Sequence, residues 1–259
     1  MSTREEHVAK IGKHKIHFAK AGQGPNYVIC LPGVLGSCQD FAKQLETFDH
    51  DKFTLVAWDP PGYGKSRPTT RNQGLNRSKD DADMAFQLMQ SLNLLPFSVL
   101  GFGEGCRTGL HLANQHSDHV TKLVVWNGRI TVDFATYAQL TNHKHISSWY
   151  EEEKTGFIKR YGFEYAAQQW LDYYHLYENV YENLDGRFPA YKIASKVKLP
   201  VLVLNGRKDK MADPITVLER VQHGRMLIHR NGDWNMHQQF PDWFKEHVQD
   251  FLLETRRLS

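Results

Sequence analysis

The stretch FSVLGFGEGCRTGL (97–110) joins an apolar run, a glycine-rich turn and the beginning of a helical pattern. The run FSVLGF (97–102) is short and apolar and ends among glycines, which is typical of a buried strand. The residues after the turn, CRTGLHLANQH (106–116), place apolar side chains at helical spacing. Glycines alternate with other residues between the two patterns, and such spacing permits a tight turn. The stretch therefore predicts a strand, a turn and a helix in immediate succession.

Similar apolar runs recur along the chain and predict further strands at NYVICL (26–31), FTLVAWD (53–59), KLVVWNG (122–128), PVLVLNG (200–206) and RMLIHR (225–230). Residues 7–22 alternate in polarity and predict an antiparallel hairpin. Helical patterns cover 79–92 and 242–254. Nearly continuous apolar strands indicate burial on both faces, as in a parallel sheet. We therefore predict an α/β fold with a mostly parallel, twisted sheet and helices on both faces.

Residues 129–192 interrupt this alternation, because they contain no convincing strand and many aromatic residues. In FEYAAQQWLDYYHLYENVYENL (163–184) the aromatic residues recur at helical spacing. We predict a helical lid over the carboxyl ends of the strands, where open α/β sheets bind ligands. For any single ring, packing within a hydrophobic core is the alternative. The predicted domains are a core of residues 1–128 and 193–259 with the lid, 129–192, inserted into it.

The composition excludes several classes of partner. A net charge of +3 with both signs interspersed does not favour nucleic acid or an anionic membrane. The three cysteines are few and widely spaced, so we predict neither a disulfide framework nor a metal cluster, and a reducing compartment. No metal and no cofactor are expected at the site. The N-terminal residues lack the apolar region of a signal peptide, and no run reaches the ~20 apolar residues of a membrane span. We therefore predict a soluble cytoplasmic protein.

Two glycine-rich stretches are candidates for nucleotide binding. A dinucleotide fingerprint in GFGEGC would need a glycine at Cys106 and an acidic residue near Asn127. A phosphate loop ending in YGKS (63–66) would need a glycine at Asp59. Neither stretch meets its requirement, so nucleotide binding is not predicted.

Four motifs of this chain resemble those of the α/β-hydrolases and occur in the same order. In chain order they are the oxyanion loop, the strand–Gly–x–nucleophile–x–Gly turn, the segment of the catalytic acid and the segment of the catalytic base. The segments here are LPGVLGSCQDF (31–41), NGRKDKMAD (205–213) and NGDWNMHQQFPDWFKEHVQDFL (231–252). DPPGYGKSRP (59–68) resembles a further family turn, with Pro61 replacing its usual arginine. From about residue 8 to 253 the chain resembles the valacyclovir-hydrolase (biphenyl-hydrolase-like) group, with the lid as its weakest part. The resemblance implies an α/β-hydrolase fold and an ancestry among intracellular serine hydrolases that act on esters of small molecules, notably amino-acid esters.

The chain differs from that group at two of the three catalytic positions. The resemblance puts the nucleophile at Gly103, the base at Trp234 and the acid at Asp209. Glycine has no atom that can attack a carbonyl, and the indole N–H is a donor only, so the acyl-enzyme route is closed. The resemblance further implies that the N–H groups of Val34 and Glu104 line an oxyanion hole.

Other residues at the turn could replace the missing groups. Cys106 lies near the start of a helix, where a thiolate would be stabilised, but a small buried thiol is the favoured interpretation. His237 is interpreted as a structural residue, and His111 and His116 as surface or packing residues. The hydroxyl of Ser37 in the oxyanion loop has no base beside it and is a weak nucleophile.

Acidic residues at the site leave alternatives open. We expect the carboxylate of Glu104 to project toward the pocket mouth, where it would pair with an ammonium group of a ligand or bond to a neighbouring loop. Asp209, without a histidine partner, would accept the N–H of Trp234 or simply lie in a loop. The predicted ligand contacts are Glu104, Trp234 and Phe102.

The sequence thus predicts a catalytically degenerate α/β-hydrolase that keeps a lidded pocket for a small molecule. A protein partner is left open, as is the choice between monomer and homodimer, and no nucleic acid or membrane partner is expected. One alternative is an enzyme of other chemistry, such as a lyase, isomerase, cyclase or weak esterase, with Glu104, Asp209 or a lid tyrosine as acid or base. Another is a purely structural or interaction role with a blocked pocket.

Overall fold

A computed structural model describes residues 4–254, except for the side chains of residues 152 and 153. Its eight strands form one sheet in the order β1-β2-β4-β3-β5-β6-β7-β8. The strands are β1 Glu5–Ile11, β2 His14–Ala21, β3 Asn26–Leu31, β4 Phe53–Trp58, β5 Phe97–Phe102, β6 Val120–Trp126, β7 Pro200–Gly206 and β8 His223–His229. β1 and β2 are the predicted antiparallel hairpin, β2 pairs antiparallel with β4, and all other pairs are parallel. The prediction of a mostly parallel sheet is confirmed.

Helices cover both faces of the sheet. The helices are α1 Ala42–Thr47, α2 Arg77–Ser91, α3 Glu104–Gln115, α4 Phe134–Asn142, α5 Glu151–Tyr161, α6 Phe163–Asn183, α7 Pro189–Ala194, α8 Pro214–Arg220, α9 Met236–Gln239 and α10 Pro241–Leu253. α2, α3, α7 and α8 contribute to one hydrophobic cluster, and α1, α9 and α10 contribute to a second. None of the helices in the described part of the chain combines the length and apolarity needed to span a bilayer.

The sheet separates these two clusters because successive side chains of a strand point to opposite faces. In β5, Val99 belongs to the cluster under α2 and α3, whereas Leu100 belongs to the cluster under α1 and α10. All six residues of β5 are buried, which explains why its sequence is apolar without alternation. The strand is thereby fixed on both faces, and so is the turn that follows it.

The predicted lid segment holds α4, α5 and α6 between β6 and β7. The aromatic and aliphatic side chains of α4 and α6 form one cluster, which includes Leu140 and Tyr177. α5 contributes Tyr161 to a different cluster. The ends of the segment are joined by a β-bridge between Thr131 and Arg187. α7 spans the predicted lid boundary at residue 192. Its buried residues pack in the hydrophobic cluster that also contains α2, α3 and α8, so the lid helices end before α7.

Candidate functional site

The turn between β5 and α3 keeps the shape of a nucleophile elbow. At Gly101, an added Cβ would lie 2.5 Å from the carbonyl oxygen of Gly105, and at Gly105 it would lie 2.1 Å from that of Leu31. Both positions therefore require glycine. Gly103, at the tip, has φ +56° and ψ −114°, and its added Cβ would lie 3.3 Å from Cα of Gly33. The tip has space for a small side chain, although its backbone conformation favours glycine.

The two predicted oxyanion-hole residues line the same cavity as Gly103. Val34 lies in the loop after β3, and Glu104 is the first residue of α3. The first N–H groups of a helix have no partner within the helix. Within residues 4–254 neither the N–H of Val34 nor that of Glu104 has a hydrogen-bond partner. The predicted oxyanion-hole residues are therefore brought together at the cavity, and their catalytic role stays a prediction.

Asp209, at the acid position, follows β7 and is held by its neighbours. Its Oδ1 accepts the N–H groups of Met211 at 2.9 Å and Ala212 at 3.1 Å. Its Oδ2 accepts Nδ2 of Asn127 at 2.8 Å. These donors, rather than the indole of Trp234, hold the carboxylate.

Asn127 connects the acid position to the tip of the turn. It follows β6 with φ +51°, and its Oδ1 lies 3.6 Å from the place where a Cβ of Gly103 would be. The sequence analysis used this residue only to exclude a dinucleotide site. Its place directly after a strand, at the edge where Gly103 and Asp209 also lie, is the signal that could have identified it.

Trp234, at the base position, forms a wall at the cavity mouth. Its side chain is 49% exposed and stacks on Phe102, with ring centroids 6.1 Å apart and an angle of 21° between the planes. Its backbone N–H donates to Oδ1 of Asp233 at 2.8 Å. Trp234 and Phe102 both line the cavity as predicted for ligand contacts, although the contacts themselves stay a prediction.

The prediction that the Glu104 carboxylate projects toward the pocket mouth is wrong. The side chain is buried and its Oε1 accepts from the guanidinium groups of Arg77 in α2 and Arg107 in α3. Burial raises the pKa of this carboxyl, but the two guanidinium groups outweigh burial and hold the pKa below its usual range. Glu104 and Arg107 are three residues apart on a helix, and this spacing could have indicated the ion pair between them.

The candidate replacement groups have structural roles. His237 is buried, with Nδ1 accepting Nε1 of Trp126 at 3.1 Å and Nε2 donating to the carbonyl oxygen of Asp40 at 3.0 Å. Burial lowers the pKa of His237 to about 3, so the ring is neutral and both its nitrogens are used. Burial raises the pKa of the Cys106 thiol to about 12, which leaves it protonated. Ser37 caps the short 3₁₀-helix that follows it.

The other two candidate histidines, His111 and His116, are absent from the cavity lining. Burial lowers the pKa of His111 to about 4, and His116 stacks on Phe86 with ring centroids 3.9 Å apart. Both are packing residues on α3 or directly after it, as the sequence analysis interpreted them.

Two lid tyrosines of α6 also reach the cavity. The hydroxyls of Tyr173 and Tyr177 lie 2.9 Å apart, and Tyr177 Oη accepts Nη1 of Arg107 at 3.0 Å. Burial raises the pKa of Tyr173 well above its ordinary value. The Tyr173 hydroxyl therefore keeps its proton at neutral pH.

The cavity above Gly103 has a volume of about 530 Å³, which suits a small molecule. Its apolar walls are formed by Val34, Phe102, Leu140, Phe157, Trp170, Met211 and Trp234. Its charged residues are Glu104, Arg107, Arg129, Lys208, Asp209, Lys210 and Asp233.

A buried cluster outside the cavity contains types of residue that bind metals. Ligand atoms of His17, Cys38 and Asp59 lie within 4.8 Å of one another. The Asp59 carboxylate already accepts His17 Nδ1 at 2.8 Å and the N–H groups of Cys38 and Lys65, each at 2.7 Å. The pKa of His17 is raised, mainly by its hydrogen bond with Asp59. This hydrogen-bonded cluster fastens the N-terminal hairpin to the loops after β3 and β4.

The sheet topology and the elbow define the class: this chain belongs to the α/β-hydrolase superfamily. The family described as alpha/beta hydrolase fold matches residues 26–150. Among individual proteins, the chain is similar to serine hydrolase BPHL of Mus musculus, with 32% identity over 252 residues that cover 95% of this chain and 85% of the mouse protein. The human serine hydrolase BPHL is 30% identical and covers 92% of this chain, with 83% of the human protein matched.

Solved structures agree on the fold. A serine hydrolase involved in carbazole degradation, the CarC enzyme, superposes with a TM-score of 0.76 at 18% identity, covering 96% of this chain and 99% of the other. The N-acyl homoserine lactonase AidH, complexed with N-butanoyl homoserine, gives a TM-score of 0.77 at 16% identity, covering 98% and 100%. At these identities the likeness concerns the fold alone.

Proposed function

We propose that this protein is a catalytically degenerate α/β-hydrolase that binds a small molecule in its lidded cavity without hydrolysing esters through a serine, a histidine and an acid. The observation that carries the proposal is the elbow itself. Its tip has the required backbone conformation, φ +56° and ψ −114°, but the residue there is Gly103. Without a side-chain nucleophile, no acyl-enzyme can form at this position.

Neither Trp234 nor His237 can replace the missing base. Trp234 stands at the base position, and its indole nitrogen is a donor only. His237 uses both ring nitrogens in hydrogen bonds and has a pKa of about 3. Ester hydrolysis would therefore be limited to the effect of binding and backbone donors, about 10³–10⁴ over water in enzymes that have lost their catalytic residues.

The alternative, an enzyme of different chemistry, has less support. Glu104 is fixed between two guanidinium groups and its pKa is lowered, while that of Tyr173 is raised. Neither is tuned toward neutral pH, where a general base works best. Asp209 remains as a carboxylate at the cavity, occupied by three donors.

Restoring the missing groups tests the proposal. Gly103→Ser combined with Trp234→His should produce esterase activity toward p-nitrophenyl esters and amino-acid esters, because the flanking glycines and Asp209 keep their positions. The matched control, Gly103→Ala with Trp234→His, adds the same Cβ without the hydroxyl and should stay inactive. Adding Asp209→Asn to the restored variant should lower kcat by about 10⁴.

The unmodified chain supplies the decisive comparison. Its kcat/KM toward the same esters should lie at least about a thousandfold below that of an intact serine hydrolase, since the whole covalent route is missing. Turnover by the unmodified chain at the rate of an intact hydrolase would disprove the proposal.

A further inference from the structure

We infer that the cavity takes a small molecule with a carboxylate on an apolar body, the carboxylate lying at the floor beside Gly103 and the body between Trp234 and the lid. This inference rests on the proposed function and adds the chemical class of the ligand. It differs from the sequence-based expectation, in which Glu104 would receive an ammonium group.

The charges around the cavity favour an anion. Its lining contains four cationic side chains and three acidic ones. One of the acids, Glu104, is shared by Arg107 and by Arg77, which lies behind the lining. Two guanidinium groups on one carboxylate leave an uncompensated positive charge beneath the floor, and in a cleft such a charge attracts anions.

Hydrogen-bond donors without acceptors meet at the floor. The N–H groups of Val34 and Glu104 have no partner among the described residues, and the latter starts the helix α3, whose N-terminus favours negative charge. A carboxylate can accept both N–H groups at once.

The tyrosine pair supplies a further donor. Tyr177 Oη already accepts from Arg107, and a single proton occupies the 2.9 Å contact between Tyr173 and Tyr177. Whichever hydroxyl donates in that contact, the other keeps a proton that has no acceptor within residues 4–254. Both side chains are more than nine-tenths buried and line the cavity. An acceptor on the ligand would satisfy this proton.

An ammonium group would find no carboxylate at the floor whose charge is still unpaired. Oε1 of Glu104 accepts from two arginines, and although its buried Oε2 has no hydrogen-bond partner among the described residues, the two guanidinium charges together exceed the single negative charge of the carboxylate. Asp209 accepts from Asn127 and two loop N–H groups. Asp233 lies beside Trp234 at the mouth, where Lys208 and Lys210 are exposed. A cation would therefore meet the basic side chains before it reached an acceptor.

The remaining walls define the body of the ligand. Phe102 and Trp234 form a stacked aromatic surface on one side, and Leu140, Phe157 and Trp170 face the cavity from the lid. Aromatic walls with a few polar groups at one end suit an aryl or alkyl chain that ends in a charged head.

A set of three probes of matched size tests the charge preference. 3-Phenylpropanoate, 3-phenylpropanamide and 3-phenylpropylammonium are titrated calorimetrically into the unmodified chain. We expect the carboxylate to bind about tenfold more tightly than the amide, since charge-assisted hydrogen bonds exceed neutral ones, and the ammonium to bind most weakly. Equal or tighter binding of the ammonium or the amide overturns the inference, as does no binding of the carboxylate at about 10 mM.

Variants of two lysines at the cavity mouth test where the carboxylate binds. Lys208→Gln with Lys210→Gln should weaken carboxylate binding about threefold and leave amide binding unchanged, because the two ammonium groups act through space at the mouth. Lys196→Gln with Lys198→Gln makes the same charge change at the same spacing on exposed residues outside the cavity lining. Equal weakening by both pairs would mean a nonspecific charge effect and overturn the inference.

The two proposals fail separately. Ester turnover by the unmodified chain would refute the proposed function whichever probe binds. A preference for the ammonium probe without ester turnover would refute only the class of ligand.

Discussion

The elbow turn, residues 101–105, and the loop around Trp234 hold the two positions on which the proposed loss of hydrolytic chemistry rests, and their surroundings differ. The elbow lies between two packed layers, and backbone atoms stand within 2.5 Å of any Cβ that Gly101 or Gly105 would add. The Trp234 side chain is half exposed and stacks on a single face of Phe102. The elbow is thus constrained by the fold, whereas the base position is constrained by little beyond its neighbours at the cavity.

This difference explains why one region still looks like an enzyme and the other does not. The flanking glycines are needed for β5 and α3 to pack, so they remain whether or not a nucleophile stands between them. A half-exposed loop position can accept a large ring without disturbing the core. A retained motif can therefore report packing rather than chemistry.

The strongest test of the steric constraint is Gly105→Ala. The added Cβ would lie 2.1 Å from the backbone oxygen of Leu31, so we expect the free energy of unfolding to fall by more than about 3 kcal/mol. Urea denaturation measures the change. Gly156→Ala, in α5, is the matched control: its Cβ meets nothing within 4 Å, and it should stabilise by about 0.5–1 kcal/mol. A loss below about 1 kcal/mol at Gly105 would contradict the constraint.

A somewhat smaller loss is expected from Glu104→Gln. The change leaves the guanidinium groups of Arg77 and Arg107 buried without their counter-ion, at a cost of about 3 kcal/mol in the free energy of unfolding. Denaturant titrations at several pH values provide the measurement. Glu46→Gln, which removes the exposed pair with Lys43, should change the same quantity by no more than about 0.5 kcal/mol.

The pH dependence gives this prediction a second readout. Because the folded pKa of Glu104 is lowered, its stabilising effect is present above the unfolded pKa, near 4.5, and is lost as the pH falls through the folded value. The difference between the unmodified chain and Glu104→Gln should therefore shrink below about pH 4. A difference that stays constant down to pH 2 would show that the carboxylate charge is not what stabilises the elbow.

The smallest effect should come from Trp234→Ala. Since half of this side chain is already exposed, its removal should lower the free energy of unfolding by about 1 kcal/mol or less. Trp126→Ala removes the same ring from a site that is 1% exposed and should cost about 3–5 kcal/mol. Similar losses in the two variants would mean that the base loop is as constrained as the core, and the contrast with the elbow would fail.

Sequence reasoning succeeded where the signal is local. The apolar runs identified the strands to within a few residues, and the alternating glycines identified the elbow, because sterics at a turn act between neighbours in the chain. The positions of Asp209 and Trp234 at the cavity followed from the order of the motifs along the chain.

The errors concern contacts between distant segments. The Glu104 carboxylate turns away from the mouth because Arg77 reaches it from another helix, and no local pattern contains that pairing. Asn127 joins the site through a left-handed backbone conformation after β6, which its sequence neighbours do not specify. α7 packs with α2, α3 and α8 against one face of the sheet, although most of its residues fall within the predicted lid segment.

The conformation of Gly103 has a consequence for the history of the chain. A serine held at φ +56° would carry backbone strain of about 1–2 kcal/mol, which an active hydrolase must retain to keep its nucleophile poised. Glycine adopts the same conformation without that strain. Under the proposed function, replacing a serine by glycine at this position would relax the backbone, so that one substitution would remove the nucleophile and stabilise the fold together.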